Sequence, residues 1–176
     1  MRTAHDGKLK MAPDLRETFQ DRVDEHKRIL YKVCNVYCRD RDSREDLAQE
    51  IVLQLWRSFG KFDGRCRFST WMYRIALNVA ISFHRSETVR TRHVFSDEQR
   101  LLEAAGEPER QTEEVQLLYE FIAELDPLDR ALILLYLDGN NYLEIAQITG
   151  ISETSVATRI SRLKNKMRQE FEMKKV

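Results

Sequence analysis

Apolar side chains recur at steps of three and four residues along most of the chain, which is the spacing of an amphipathic α-helix. Glycine, proline and short charged segments interrupt this pattern, and no clear stripe exists between residues 86 and 112. The pattern predicts an all-α protein of two small helical domains joined by a flexible acidic linker. The predicted helices cover residues 14–38, 43–59, 69–85, 113–125, 127–138 and a pair within 142–168.

The pair of helices within residues 142–168 has the most specific punctuation. Asn141 and Glu144 are spaced as a capping box for the first helix, and Gly150 marks the break that follows it. Ser152 caps the second helix, on which apolar residues form a single stripe. Two short helices that cross at a glycine turn are typical of a helix-turn-helix, whose second helix enters the major groove of DNA. The stripe consists of Val156, Ile160, Leu163 and Met167.

The opposite face of this second helix is polar at its start and basic further on. A helix-turn-helix contacts bases from the start of its second helix and phosphates from the residues around it. A solvated basic face on an ordinary helical hairpin is the alternative. The candidate DNA-binding residues are Glu153, Thr154, Ser155, Thr158, Arg159, Arg162, Lys164 and Lys166.

The helix predicted over residues 43–59, with Ser43 and Asp46 marking its start, has more apolar surface than one buried stripe needs. Leu47, Ile51, Leu55 and Phe59 form the stripe, and Val52, Leu53 and Trp56 widen it. An apolar centre with a polar border is typical of a protein interface, although Trp56 could equally be a core residue. The candidate partner-binding residues are Asp46, Gln49, Glu50, Leu53, Gln54, Trp56 and Arg57.

A glycine-bounded loop follows, with Phe62 at its centre and Lys61, Arg65 and Arg67 around it. An aromatic ring among cations is suited to stacking on an unpaired base beside its phosphates. The next helix, predicted to begin at the cap Ser69, has two distinct faces. Its apolar face, expected to point inward, carries Trp71, Ile75, Val79 and Phe83; its polar row carries Arg74, Asn78, Ser82 and Arg85.

Asn78 is the informative member of that row. Asparagine has low helix propensity, but its amide offers both a donor and an acceptor and can therefore bind a base edge. A hydrogen bond to a neighbouring loop is the structural alternative. The loop and the helix together form a second candidate nucleic-acid surface.

Composition and charge further limit the classes of protein to which this chain could belong. The chain has 176 residues, 42% of them hydrophobic, and a formal net charge of zero. Residues 61–92 contain seven basic and two acidic side chains, whereas residues 97–114 contain seven acidic and two basic ones, so two basic regions flank an acidic connector. No run of eighteen apolar residues and no secretion signal is present, which predicts a cytoplasmic protein without membrane insertion.

Three cysteines are too few and odd in number for a disulfide framework. Cys34 and Cys38 lie one helical turn apart, but no second pair of ligands is near in sequence, so they are interpreted as packing residues and His26 as a partly buried core residue. A metal or thiol enzyme built on these residues and Cys66 has no cluster of nucleophile, base and orienting group. We therefore expect no catalytic residue, metal or cofactor.

With these residues in hand, the chain resembles the extracytoplasmic-function (ECF) sigma factors, the small promoter-recognition subunits of bacterial RNA polymerase. DLAQEIVLQLWRSFGKF at 46–62 and FSTWMYRIALNVA at 68–80 resemble the family's second conserved region. LDPLDRALILLYLDGNNYLEIAQITGISETSVATRISRLK at 125–164 resembles its fourth. The resemblance implies region 2 at 14–86, a linker at 87–112 and region 4 at 113–176. Residues 1–13, which have no helical periodicity, are interpreted as a flexible leader that is longer than the family requires.

The resemblance also implies partners and roles. Core RNA polymerase would bind the surface around Leu53 and Trp56. Phe62 and Asn78 would hold a flipped base of the minus-ten element, Trp71 would belong to the melting segment, and Arg159 and Arg162 would contact the minus-thirty-five element. An anti-sigma factor is the expected regulator. The alternative from the residues alone is a stand-alone helix-turn-helix regulator, which would bind promoter DNA tightly without polymerase.

Overall fold

The structure is a computed structural model that describes residues 13–91 and 113–174. These residues form eight α-helices and no strand, so the all-α prediction is confirmed. Residues 87–91 of the predicted linker belong to the last helix of the N-terminal half, whereas the rest of that linker and nearly all of the predicted leader lie outside the described residues. The helices are α1 (Pro13–Glu25), α2 (Lys27–Tyr37), α3 (Arg41–Phe59), α4 (Phe68–Thr91), α5 (Glu113–Glu124), α6 (Pro127–Leu137), α7 (Tyr142–Thr149) and α8 (Glu153–Lys174).

The first helix was predicted to be continuous over residues 14–38, and this prediction is wrong. The chain breaks at His26, whose φ of −112° and ψ of 14° are not helical. The His26 amide donates to the Val23 carbonyl, three residues back, and its Nδ1 lies 3.1 Å from the Arg22 carbonyl oxygen. The imidazole packs edge-on against Phe68, 5.2 Å away, so packing against α4 accompanies the break.

Two predicted helix starts are also wrong. The cap of α3 is Asp40 and not Ser43, because the Asp40 carboxylate accepts a 2.8 Å hydrogen bond from the Ser43 amide. Ser69 does not cap α4, which begins one residue earlier, at Phe68. This helix also continues beyond the predicted end at residue 85, and the Ser86 hydroxyl donates to the Phe83 carbonyl within it.

The N-terminal half has its core between α2, α3 and α4. The stripe predicted on α3 is confirmed for Leu47, Ile51 and Leu55, which are fully buried, whereas Phe59 is half-buried. The apolar face predicted to point inward on α4 is wrong, because its four residues are only half-buried. The face one position further along is the buried one, and it comprises Met72, Tyr73, Ala76, Leu77 and Ala80.

In the C-terminal half, the predicted caps are confirmed. Asp126 caps α6 with Pro127 as its first residue, and Asn141 and Glu144 form the capping box of α7. Gly150 ends α7 in the left-handed region, at a φ of +77°, where an L side chain would be strained. Val115, which the helical spacing of Val115, Leu118, Ile122 and Leu125 predicts on the buried face of α5, is exposed instead.

The two halves pack against each other through α2 and α4 on one side and α5, α6 and α7 on the other. The Tyr37 hydroxyl donates to the Pro127 carbonyl at 2.5 Å, and the Tyr73 hydroxyl donates to Asp138 Oδ2 at 2.6 Å. Lys32 forms an ion pair with the same aspartate. These contacts place the helix-turn-helix beside α4.

Candidate DNA and polymerase interfaces

The polar row of α4 is exposed along its whole length. Arg74, Asn78, Ser82 and Arg85 follow one another at steps of four, four and three residues and lie on the face opposite Met72, Ala76 and Ala80. Burial of that opposite face fixes the rotation of the helix, and therefore the direction in which the polar row points. Such a row presents two guanidinium groups, an amide and a hydroxyl to a ligand, which are the groups that contact phosphates and base edges.

Two cations of the candidate minus-ten surface, which consists of the loop before α4 and the polar row of α4, contact the helix-turn-helix. Arg74 donates a 2.7 Å hydrogen bond to the Gln147 carbonyl on α7. Arg67 lies 3.7 Å from the Glu144 carboxylate, which also closes the capping box of α7. Both arginines are nevertheless exposed. In this arrangement of the two halves, part of the candidate minus-ten surface is therefore engaged by α7.

The loop between α3 and α4 is held by local contacts. Gly64 has a φ of +73°, so this position favours glycine. The Arg65 guanidinium is paired with the Asp63 carboxylate at 3.0 Å, and the Asp63 carboxylate also accepts from the Arg65 amide at 3.1 Å. Lys61 and Arg65 point into solvent.

Phe62 is less exposed than its role in stacking on a base would suggest. Its ring lies 5.6 Å from Phe68 and 5.2 Å from Trp71, and it is half-buried in an aromatic cluster that also includes Phe59. Trp71 lies in the same cluster and is half-buried too. Phe62 and Trp71 are thus partly exposed, and the exposed cations Lys61 and Arg65 belong to the same loop as Phe62.

The start of α8 presents short polar side chains to solvent. Ser152 caps the helix by accepting from the Ser155 amide at 3.2 Å, as predicted. Glu153, Thr154, Ser155 and Thr158 are all exposed. The buried stripe behind them is confirmed for Val156, Ile160 and Leu163, and Met167 is half-buried. This stripe turns the N-terminal polar residues of α8 away from α6 and α7.

Arg159 and Arg162 do not simply project into solvent, because both approach the carboxylate of Asp129 on α6. Arg159 donates to Asp129 Oδ1 at 2.7 Å, and Arg162 lies 3.6 Å from Oδ2. Sequence reasoning missed Asp129. The available signal was an acidic residue in the first turn of a helix that is otherwise almost entirely apolar.

The two candidate lysines of α8 contact aromatic rings. The Lys164 ammonium donates to the Tyr136 hydroxyl at 3.3 Å and lies 5.3 Å from the centre of its ring. Lys166 is 3.6 Å from the Glu170 carboxylate and 5.6 Å from the Phe121 ring. Their stems cover the core of the C-terminal half while their charges remain near its surface.

The candidate polymerase surface lies on the outer side of α3. Leu53 is 46% exposed, and the polar residues around it, Asp46, Gln49, Glu50, Gln54 and Arg57, are exposed as well. Trp56 is half-buried, packs edge-on against Phe19 at 5.0 Å and lies under the Arg16 guanidinium. Trp56 therefore packs on α1 and also borders a surface recess of ≈ 400 Å³, and its place in a partner interface stays a prediction.

Burial keeps the Cys34 thiol and the Tyr37 hydroxyl uncharged at neutral pH. Burial raises the pKa of the Cys34 thiol to about 11, although Arg44 opposes the change, so this thiol is protonated at neutral pH. Burial likewise raises the pKa of Tyr37. No group of three potential ligands among His, Cys, Asp and Glu could hold a metal within residues 13–91 and 113–174. In the same residues, no helix has the length and apolar character needed to cross a membrane.

Comparison with protein families assigns both halves of the chain. Residues 22–90 match the model of sigma-70 region 2, and residues 116–167 match that of sigma-70 region 4. The ECF sigma-E factor of Escherichia coli is 32% identical over 149 residues, which cover 77% of this chain and 78% of that protein. The ECF sigma factor SigX of Bacillus subtilis is 29% identical over 167 residues, covering 90% and 86% of the two chains.

Two solved structures share the fold over nearly the whole chain. The sigma factor RpoE of Bartonella quintana, crystallised with the anti-sigma factor NepR, superposes with a TM-score of 0.69 at 19% identity and covers 92% of this chain and 98% of its own. CnrH in complex with the cytosolic domain of CnrY gives a TM-score of 0.66 at 21% identity, with 90% of each chain covered.

Proposed function

Since the chain belongs to the ECF RNA polymerase sigma factors, we propose that it binds core polymerase through the outer side of α3 and directs it to two-part promoters in the cytoplasm. Region 2, residues 14–86, carries the polymerase-binding surface and the minus-ten surface. Region 4, residues 113–176, carries the minus-thirty-five surface. The protein performs no chemistry of its own and acts by binding and by holding separated strands.

The observation that carries this proposal is the exposure of two polar helix faces in one chain. One is the row from Arg74 to Arg85 on α4, and the other is the start of α8 with its two arginines. Neither face is needed for the core, because burial uses the opposite side of each helix. Two separate nucleic-acid surfaces fit a factor that reads two promoter elements better than a regulator with one helix-turn-helix.

Strand separation in this proposal relies on the aromatic cluster and on Asn78. A flipped base would stack on the exposed part of the Phe62 or Trp71 ring, while the Asn78 amide binds the edge of that base. Unstacking a base costs a few kcal/mol, and each aromatic stacking contact returns about 1–3 kcal/mol. Neighbouring cations, Lys61 and Arg65, would neutralise the phosphates on either side.

An anti-sigma factor is the proposed regulator. The contacts of Arg67 and Arg74 with α7 support an inactive state in which the two halves cover part of the minus-ten surface. Promoter binding would then require the halves to separate, and a partner that binds the closed arrangement would inhibit the factor. The complexes of NepR and CnrY with related folds agree with this proposal.

Transcription from a promoter library tests the function. Purified core polymerase is assayed with and without the protein, and with the Asn78→Ala and Arg159→Ala variants. We expect initiation at a shared two-part motif only when the protein is present, with dependence on the downstream element lost in the first variant and on the upstream element in the second. Tight binding of the free protein to a palindromic site, without any initiation, would instead establish a stand-alone regulator.

A further inference from the structure

The carboxylate of Asp129 is buried beneath the exposed face of α8. Only 8% of this side chain is exposed, and its backbone amide donates a 3.0 Å hydrogen bond to the capping carboxylate of Asp126, which fixes the backbone at the start of α6. Asp129 Oδ1 accepts from Arg159 at 2.7 Å, and Oδ2 is 3.6 Å from Arg162. The carboxylate of Asp129 therefore contacts two guanidinium groups. They lie on the same face of α8 because Arg159 and Arg162 are three positions apart.

This contact differs from a surface ion pair. Exposed pairs restrain flexible side chains only weakly, since both partners remain solvated. Because Asp129 is buried, its carboxylate has little freedom to move, and the hydrogen bond to Oδ1 restrains the Arg159 side chain. The amide groups at the start of α6 also favour a negative charge at this position.

The two arginines are restrained to different degrees. The Arg159 side chain is 36% exposed and makes the short contact, whereas that of Arg162 is 69% exposed and makes the longer one. A guanidinium has five N–H donors in a planar fork, so Arg159 retains four donors beyond the one that Asp129 accepts. A fork that is already oriented loses less conformational entropy when it binds a base edge.

We propose that Asp129 is a positioning residue for promoter readout: it orients Arg159 toward a base edge of the minus-thirty-five element and leaves Arg162 free to follow a neighbouring phosphate. The negative charge of Asp129 also opposes non-specific binding of phosphates near α8. Weaker binding to non-promoter DNA further increases discrimination between the correct and the wrong sequence. This inference rests on the proposed function of α8.

The experiment measures discrimination by the complete chain bound to core polymerase. Two promoter fragments, identical except that one has a scrambled minus-thirty-five element, compete for open-complex formation, and the ratio of the two complexes is recorded. Asp129→Asn is expected to lower this ratio about tenfold, which is the loss of one good base contact. Arg159→Gln should lower it similarly, and the double variant should lower it no further, because both changes remove one interaction.

Two controls separate positioning from a structural role. On a template that has a melted minus-ten region and no minus-thirty-five element, Asp129→Asn should transcribe like the wild type, because the contact that Asp129 positions is not made there. Asp42→Asn, an equal charge change at an exposed site on α3, should keep the wild-type ratio. If Asp129→Asn does not fold, Asp129→Glu tests the positioning role in its place, because it keeps the charge but displaces the carboxylate by one methylene group. We expect the same loss of discrimination from it.

The outcomes are distinguishable. An unchanged ratio in Arg159→Gln would remove the proposed contact of α8 and this inference with it. A reduced ratio in Arg159→Gln, together with the wild-type ratio in the folded Asp129 variants, would overturn the positioning role alone. A non-additive loss in the Asp129 and Arg159 variants supports it.

Discussion

The hydroxyl of Tyr73 donates a 2.6 Å hydrogen bond to Oδ2 of Asp138 and so joins the second turn of α4 to the residue that ends α6. Burial raises the pKa of Tyr73 to about 12, so the hydroxyl remains a donor at neutral pH. Lys32 of α2 is paired with the other oxygen of the same carboxylate. Asp138 is therefore a common acceptor for two helices of the N-terminal half.

Removing the Tyr73 hydroxyl should loosen the contact between the halves. A hydrogen bond to a charged group contributes about 1.5–3 kcal/mol, and Tyr73→Phe keeps the ring in the core, so we expect the free energy of unfolding to fall by about that amount. The radius of gyration measured by X-ray scattering should increase. Tyr31→Phe makes the same chemical change at a side chain that is 69% exposed and should alter neither quantity. Equal effects of both variants would show that the contact to Asp138 does not hold the halves together.

The structural features that the sequence predicted correctly are those that depend on residues close together in the chain. The capping box of Asn141 and Glu144 and the turn at Gly150 follow from residues that are neighbours in the chain, and the structure confirms them. The break at His26 accompanies packing on Phe68, a residue from another helix, and no local pattern signals it.

The inner face of α4 could not be assigned from periodicity because apolar residues occupy more than half of the helix circumference. Trp71 and Ile75 made one plausible stripe, but Met72 and Ala76 form the buried one, and Trp71 packs instead against Phe62 and Phe68 at the edge of the core. The exposed polar row was found because its members are unambiguous. Asp129, in contrast, is recognised only when α8 is placed against α6.

Asn78 provides a prediction that stability cannot explain. Alanine has higher helix propensity than asparagine by about 0.5 kcal/mol, so Asn78→Ala should not lower the melting temperature. Transcription should nevertheless decrease about tenfold or more at promoters with an intact minus-ten element, because a base contact is lost. Gln116→Ala removes an amide at an exposed site on α5 and serves as the control. Full transcription by Asn78→Ala would exclude Asn78 from base recognition.

Leu53 permits a direct test of polymerase binding, because its side chain is 46% exposed and is not part of the buried stripe of α3. Leu53→Glu should leave the fold intact while placing a charge at the apolar centre of the proposed interface. We expect its dissociation constant for core polymerase, measured without DNA, to rise at least tenfold, the usual consequence of losing a central contact. Tyr31→Glu, on an exposed apolar position of α2, should bind like the wild type. Loss of binding in both variants would point to a general effect of charge.

His84 on α4 makes the stability of the packed arrangement dependent on pH. Burial lowers the pKa of His84 below its ordinary value of 6.5, and the Arg130 guanidinium of α6 lowers the pKa further. The unfolded chain therefore binds a proton more readily than the folded one between these two pKa values. The contribution of neutral His84 to stability is fully present above about pH 6.5. It is lost as the pH falls through the lowered pKa.

The measurement is the free energy of unfolding between pH 7 and pH 5 for the wild type and for His84→Gln, which cannot be protonated. The wild type should lose stability over this interval and the variant should lose less. Asp40 does not interfere, although its pKa is also shifted. Burial is the largest single influence and raises the Asp40 pKa, but the hydrogen bonds from Ser43 and from the Asp40 amide, together with the charge of Arg44, outweigh it. The net pKa therefore lies below 3.8, and the contribution of Asp40 is lost only in more acidic solution. Parallel pH profiles for the two proteins would show that His84 is not the group that responds.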